Sequence, residues 1–253
     1  MSWLEKSCDC FKDREITVEL QLLANIQLAT VYLARVHTNE VVPLLEEEVA
    51  VRSGGFAKHD QNRLSSQQQL AKACFAKRQT QRAVEMLEDV VSALSEIQAG
   101  NDQLRLLAQY TLAAAYHEQG QTKQAIRLLE HVVAARQEVL PKDHPDTSSA
   151  QTMLAKACIR DGRPEEAIKL LEYVLAIQRK VLAKEHQSSL FTQDELARAY
   201  LALGQNGPAI ELLEHVVAVE EETIAPEHPI RLASQHLLAI AYRKQAVSSR
   251  PSS

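Results

Sequence analysis

Apolar side chains along this chain recur at the three- and four-residue intervals of a helix, in blocks of two. In the stretch from Thr147 to Leu182, Leu154, Ala155 and Cys158 share one face of a helix predicted over 147–161. Ala167, Leu170, Leu171, Val174 and Leu175 mark a second helix, from about Pro164 to Leu182. Gly162 lies between the two, where a left-handed residue can end the first. Pro164 suits the first turn of the second helix, where its missing N–H costs nothing. Small side chains at Ala155 and Ala167 let the helices approach closely. Upstream, His144-Pro145-Asp146 stops the preceding helix and offers Asp146 as the cap of the next. The expected unit is an antiparallel helix pair.

That unit repeats. Leu-Ala recurs at Leu28-Ala29, Leu70-Ala71, Leu112-Ala113, Leu154-Ala155, Leu196-Ala197 and Leu238-Ala239, always 42 residues apart. Four residues after each Leu stands Tyr32, Cys74, Tyr116, Cys158, Tyr200 or Tyr242. Thirteen after it stands Val41, Ala83, Ala125, Ala167 or Ala209. Leu45, Leu87, Leu129, Leu171 and Leu213 follow, each trailed by a glutamate, and an amide precedes each first-helix Leu by three. One helix pair cannot bury both its faces, so successive pairs must stack into an α-solenoid.

Residues 15–246 form the expected array, about five repeats plus a last helix near Arg231 to Lys244. Residues 247–253 read as a disordered tail. Trp3-Leu4-Glu5 aligns with Leu128-Leu129-Glu130, so residues 1–14 read as the second helix of an incomplete repeat. Self-association through that end, or descent from a longer array, is the corresponding expectation.

The pattern resembles the tetratricopeptide repeat, whose spacing Leu112, Ala113, Tyr116, Gly120, Ala125 and Leu129 reproduce. The 42-residue length, the His-Pro links at His144-Pro145 and His228-Pro229, and Pro43 make it similar to the kinesin-light-chain subtype. Similar arrays form the C-terminal sensor regions of fungal nucleotide-binding (NACHT/NB-ARC) receptor-like proteins. The resemblance implies an all-α, right-handed α-solenoid of antiparallel helix pairs that acts as a protein-interaction scaffold. HEAT-type repeats of similar length are the nearest alternative. Val36 and Arg78 stand where the family carries Gly, and Gly54-Gly55 and Gly100-Asn101-Asp102 replace two His-Pro links.

Composition narrows the function. With 34 Ala and 33 Leu against 7 Gly and 8 Pro, an all-β or Rossmann-type fold is disfavoured. The net charge of −5 gives no global pull on nucleic acid, and no apolar run is long enough to span a bilayer. Without a secretory leader and with only four cysteines, the cytoplasm is the expected compartment. No phosphate-binding loop, no Gly-x-Ser-x-Gly and no His-Glu-x-x-His occurs, so no enzyme activity and no cofactor are expected.

Cys74 and Cys158 share a register two units apart, about 20 Å or more, too far for a disulfide, and read as core thiols. Cys8-x-Cys10 lacks further zinc ligands. His131 and His215 are too far apart to share an ion, and His144, His186 and His228 are assigned to loops and caps, so no metal is expected. The glutamate and amide ladders read as hydrogen bonding within or between units.

In the resembled family a peptide lies along the first helices, at offsets −5, −2, +2, +5 and +6 from the repeated Leu. Those places hold Lys72, Lys156, Arg160, Arg198, Arg243 and Lys244, with Phe75, Tyr110, His117, Ile159, Phe191 and Leu201. Acidic residues there are only Glu118 and Asp194. Such a face would attract an acidic segment with an apolar anchor. The paired Asn and Lys that clamp chaperone tails are missing; Lys72 stands alone. RNA binding by the same cations, a sensor role in a larger receptor-like protein and a purely structural array are the alternatives.

Overall fold

The computed structural model describes residues 38–55, 57–97, 103–182 and 185–248. Among these residues are ten α-helices and no strand: α1 Thr38–Gly55, α2 Gln61–Ala76, α3 Thr80–Glu96, α4 Gln103–Glu118, α5 Thr122–Val139, α6 Pro145–Arg160, α7 Pro164–Val181, α8 Gln187–Ala202, α9 Asn206–Thr223 and α10 Pro229–Ser248. The even-numbered helices carry the Leu-Ala dipeptide, and each begins 42 residues after the last; the odd-numbered helices keep the same step. The repeat around Leu28-Ala29 and the expected partial helix over 1–14 lie outside the described residues.

The described helices fall into two compact units, Met1–Gln121 and Thr122–Ser253. In the first, α1 to α4 pack consecutively and α2 also touches α4. In the second, α5 to α10 pack consecutively, α6 touches α8, and α8 touches α10. Even-numbered helices thus form a closely set row within each unit. The odd-numbered helices make no such contact with one another.

The repeat positions explain this packing. Leu45, Leu87, Leu129, Leu171 and Leu213 are fully buried, as are Ala83, Ala125, Ala167 and Ala209. In the second unit Ala197 and Leu201 of α8 meet Ala209, Ile210 and Leu213 of α9, with Leu237 and Ala241 of α10 completing the cluster. In the first, Val41, Val42 and Leu45 pack with Leu70, Ala73, Cys74 and Ala83. Each fully buried Leu removes apolar surface worth about 1.5–3 kcal/mol.

The helix ends are equally regular. Gly120, Gly162 and Gly204 hold φ of 80°, 78° and 74°, and Arg78, at the same register, holds 63°. After each, the next residue's N–H returns to the helix: Gln79 to Cys74, Gln121 to Tyr116, Arg163 to Cys158 and Gln205 to Tyr200, all at 2.9 Å. Arg78 therefore makes the turn that glycine makes elsewhere, at a steric cost glycine avoids. A Cβ on Gly162 or Gly204 would meet nothing within 4 Å, so the demand is conformational, not spatial.

At the other ends one expectation is corrected. The cap of α6 is His144, not Asp146: the His144 Nδ1 accepts from the Asp146 N–H at 3.2 Å, and Asp146 sits in the first turn. His186 Nδ1 accepts from Ser188 N–H at 3.2 Å, and His228 Nδ1 from Ile230 N–H at 3.3 Å. A proline after the cap pre-sets the first turn in α6 and α10. The ring nitrogen takes the place of the usual capping oxygen. Helix α10 also runs to Ser248, so Val247 and Ser248 are helical rather than tail, and residues 249–253 lie outside the described residues.

Candidate functional site

The even-numbered helices carry every residue of the expected peptide face, and their exposure differs widely. In the first unit Lys72 is exposed, Phe75 is half-buried against the Val41–Leu45 cluster, and Tyr110 is half-buried. His117 is only 4% exposed and belongs to the packing of α4 rather than to an open face. In the second unit Lys156 and Ile159 are half-buried, Arg160 is exposed, and Phe191 is 50% exposed. Leu201 is 5% exposed and part of the α8–α9–α10 core; Arg243 and Lys244 are exposed.

The cationic character of this row is tempered by carboxylates. Arg198 sets Nε and Nη2 on Asp194 Oδ2 at 3.0 and 2.9 Å, and its Nε lies 3.8 Å from Glu195 Oε1. Glu195 stands one place outside the expected offsets, and its side chain is 5% exposed. Burial pushes its carboxyl above the ordinary range, against the opposing pull of Arg198 and Lys156. Arg198 is thus held by acids of the protein itself. Glu220 of α9 is a second buried carboxylate pushed upward by desolvation, and Ser234, Arg231 and His228 oppose the shift. A sequence signal for Glu195 did exist: the equivalent places hold Gln69, Thr111, Met153 and Leu237, none of them charged.

The glutamate ladder is structural. Tyr116 Oη donates to Glu88 at 2.5 Å, Tyr200 Oη to Glu172 at 2.7 Å, and Tyr242 Oη to Glu214, each across 28 residues. These bonds tie an even-numbered helix to the odd-numbered helix before it. Burial and the facing carboxylate push the Tyr116 and Tyr200 phenols up to about 12. Where Cys74 replaces the tyrosine, Glu46 pairs instead with Arg82 at 2.7 Å. Cys158, also buried, has its thiol pushed up to about 11, mainly by desolvation, and such a thiol is a poor nucleophile.

A second set of polar ties joins α5 and α7 each to the start of the next pair. Arg136 Nη1 donates to the Asp146 carbonyl at 2.6 Å, and Gln178 Nε2 to the Ser188 carbonyl at 3.4 Å, ten residues ahead in both cases. Of the amide ladder, Gln193 reaches Ser189 Oγ at 3.4 Å and Gln235 reaches Glu221 at 3.2 Å. Among the described residues no three His, Cys, Asp or Glu side chains gather into a metal site. No helix there is long and apolar enough to cross a membrane.

The tetratricopeptide repeat matches residues 104–180 and 154–222. The nearly identical TPR-like repeats assigned to a kinesin light chain of Podosopora anserina, in the crystal structure of a variant, share 42% identity at a TM-score of 0.70. That likeness covers 80% of this chain and 96% of that one. The chain belongs to the tetratricopeptide-repeat family. A second structure of the same fungal repeats gives 41% identity and a TM-score of 0.68 over 81% of this chain and 98% of that one. BtubC (BKLC) from P. vanneervenii shares the tetratricopeptide fold at a TM-score of 0.71 and 15% identity, over 90% of this chain and 95% of its own. No curated protein matches.

Proposed function

We infer that this tetratricopeptide chain is a protein-interaction scaffold that takes up an extended segment, acidic and apolar in character, along the even-numbered helices. The observation that carries this reading is Phe191. It is a large aromatic ring left half exposed on α8, the middle helix of the row α6–α8–α10. That row also carries Lys156, Arg160, Arg243 and Lys244. An apolar anchor supplies most of the affinity in such recognition, and the surrounding cations steer encounter. Lys72, Phe75 and Tyr110 give the row of the first unit the same composition. Leu201 and His117, being buried, support the face from beneath.

The test compares proteins co-precipitated by the native chain, by Phe191→Ala and by Lys156→Gln. Phe191→Ala is expected to weaken capture of an authentic partner by about 2 kcal/mol, roughly 30-fold in Kd. Lys156→Gln is expected to lower the association rate and its sensitivity to salt. Unchanged capture by both variants, with helicity intact, would remove the peptide face from consideration.

A further inference from the structure

The turn between α8 and α9 faces the last two turns of α10, all within the second unit. Gly204, Asn206, Arg243, Lys244, Val247 and Ser248 line an open concavity there of about 280 Å³. The chemistry at its wall departs from the rest of the array. At the register of Arg243 the earlier repeats carry Phe75, His117, Ile159 and Leu201, which are buried or half-buried. Here the position holds a guanidinium that makes no hydrogen bond or ion pair among the described residues, followed at once by an ammonium. Lys244 Nζ donates to the Leu201 carbonyl at 3.1 Å and so is drawn to the mouth of the turn, with two further protons to give.

Asn206 adds a polar group in an unusual state. It opens α9, is 8% exposed, and its Oδ1 is buried with no partner, while Nδ2 reaches Ser248 Oγ only at 3.5 Å. The Ser248 hydroxyl donates to the Lys244 carbonyl at 3.0 Å and so acts as acceptor toward the Asn206 NH2, which keeps a second N–H to give. The capping residue of α9, Gln205, makes no side-chain cap bond, so the positive end of that helix is also unshielded by a side chain. Two cations, a carboxamide NH2 and a helix N-terminus converge on one concavity. No acidic side chain lines it.

We propose that this concavity is an oxyanion site, taking a carboxylate or a phosphoryl group through Arg243, Lys244 and Asn206. Arg243 can present a two-pronged donor to two oxygens, which Lys244 alone cannot. The proposal deepens the peptide reading, on which it rests for the ligand's source: it seats an anionic group of the captured segment at the edge of the row.

Amide and arginine side-chain NMR of the full chain, titrated separately with inorganic phosphate and with N-acetylaspartate, tests it. The expected result is saturable shifts at Gly204, Asn206, Ser248 and the Arg243 side chain. Arg243→Gln should weaken binding at least about tenfold at unchanged helicity. Stronger binding of phosphate would identify a phosphoryl group as the natural ligand, and equal or stronger binding of the aspartate an acidic side chain. The Lys156→Gln and Phe191→Ala chains should retain these shifts, so failure of the peptide face and failure of this site are distinguishable. No shift at these residues from either probe at millimolar concentration, or identical titrations in Arg243→Gln, would overturn the proposal.

Discussion

Glu195 is held almost wholly out of water, with one oxygen facing Arg198 at 3.8 Å and the other buried without a partner. Because burial raises its folded-state pKa, the protonated form suits the fold better than the carboxylate does. Whatever stability that raised value contributes is complete below the unfolded value, near about 4.3, and is lost as pH rises through the folded one. Glu195→Gln should therefore raise the melting temperature near pH 7 and make little difference near about pH 4. Melting curves of the two proteins across that range decide it; a variant less stable at neutral pH would mean that the attraction to Arg198 and Lys156 outweighs desolvation. The peptide-face offsets skip this carboxylate's place, so it was passed over although it is the one charge at its register, and charge at a position says nothing of burial. Asp194 stood in plain view among those offsets, but its pairing with Arg198, four residues on, cancels a cation that otherwise counts toward the face.

Helices were the most legible level. The 42-residue period predicted both members of each pair, and the helices of the fourth repeat, Pro145–Arg160 and Pro164–Val181, fall within two residues of the expected bounds. The assignment of His144, His186 and His228 to loops and caps holds, while the naming of Asp146 as the cap of α6 fails for a chemical reason. Asp146 has the usual capping side chain, yet the imidazole of His144 is already placed to accept, and Pro145 between them fixes the first turn. Arg78 shows the opposite case. It stands where the family carries glycine, yet the left-handed turn and its return bond from Gln79 to Cys74 persist. A Cβ in that conformation costs about 1–2 kcal/mol. Arg78→Gly is thus expected to stabilise the first unit by about 1 kcal/mol, after the added freedom of the unfolded glycine is deducted. Urea unfolding followed by circular dichroism should place the variant's midpoint higher; a lower midpoint would show that the Arg78 side chain contributes more than its backbone strain removes.

Across the whole molecule, negative charge exceeds positive by five, while the even-numbered helices gather cations that only part of that acid faces. The sequence made the sign of that row visible; the Asp194–Arg198 pair that offsets it is local to α8, four residues apart, whereas the weight of Glu195 depends on its burial, which the sequence does not carry. The same limit applies to Leu201 and His117, whose offsets place them on the face and whose packing takes them off it. What the sequence did carry is the constancy of the step: every described helix of a kind starts 42 residues after its predecessor. That constancy makes the array editable. Excising residues 145–186 would join His144 directly to Gln187 and bring Arg136 to the Ser188 carbonyl in place of that of Asp146. It would also set Glu130 opposite Tyr200, a hydrogen-bonding partner in place of the thiol of Cys158. The shortened chain is expected to fold with unchanged helicity per residue and a cooperative melt, which far-ultraviolet dichroism would register. A gene encoding such a protein can lengthen or shorten by whole modules through unequal recombination, each copy-number variant remaining foldable without a compensating change at the seam.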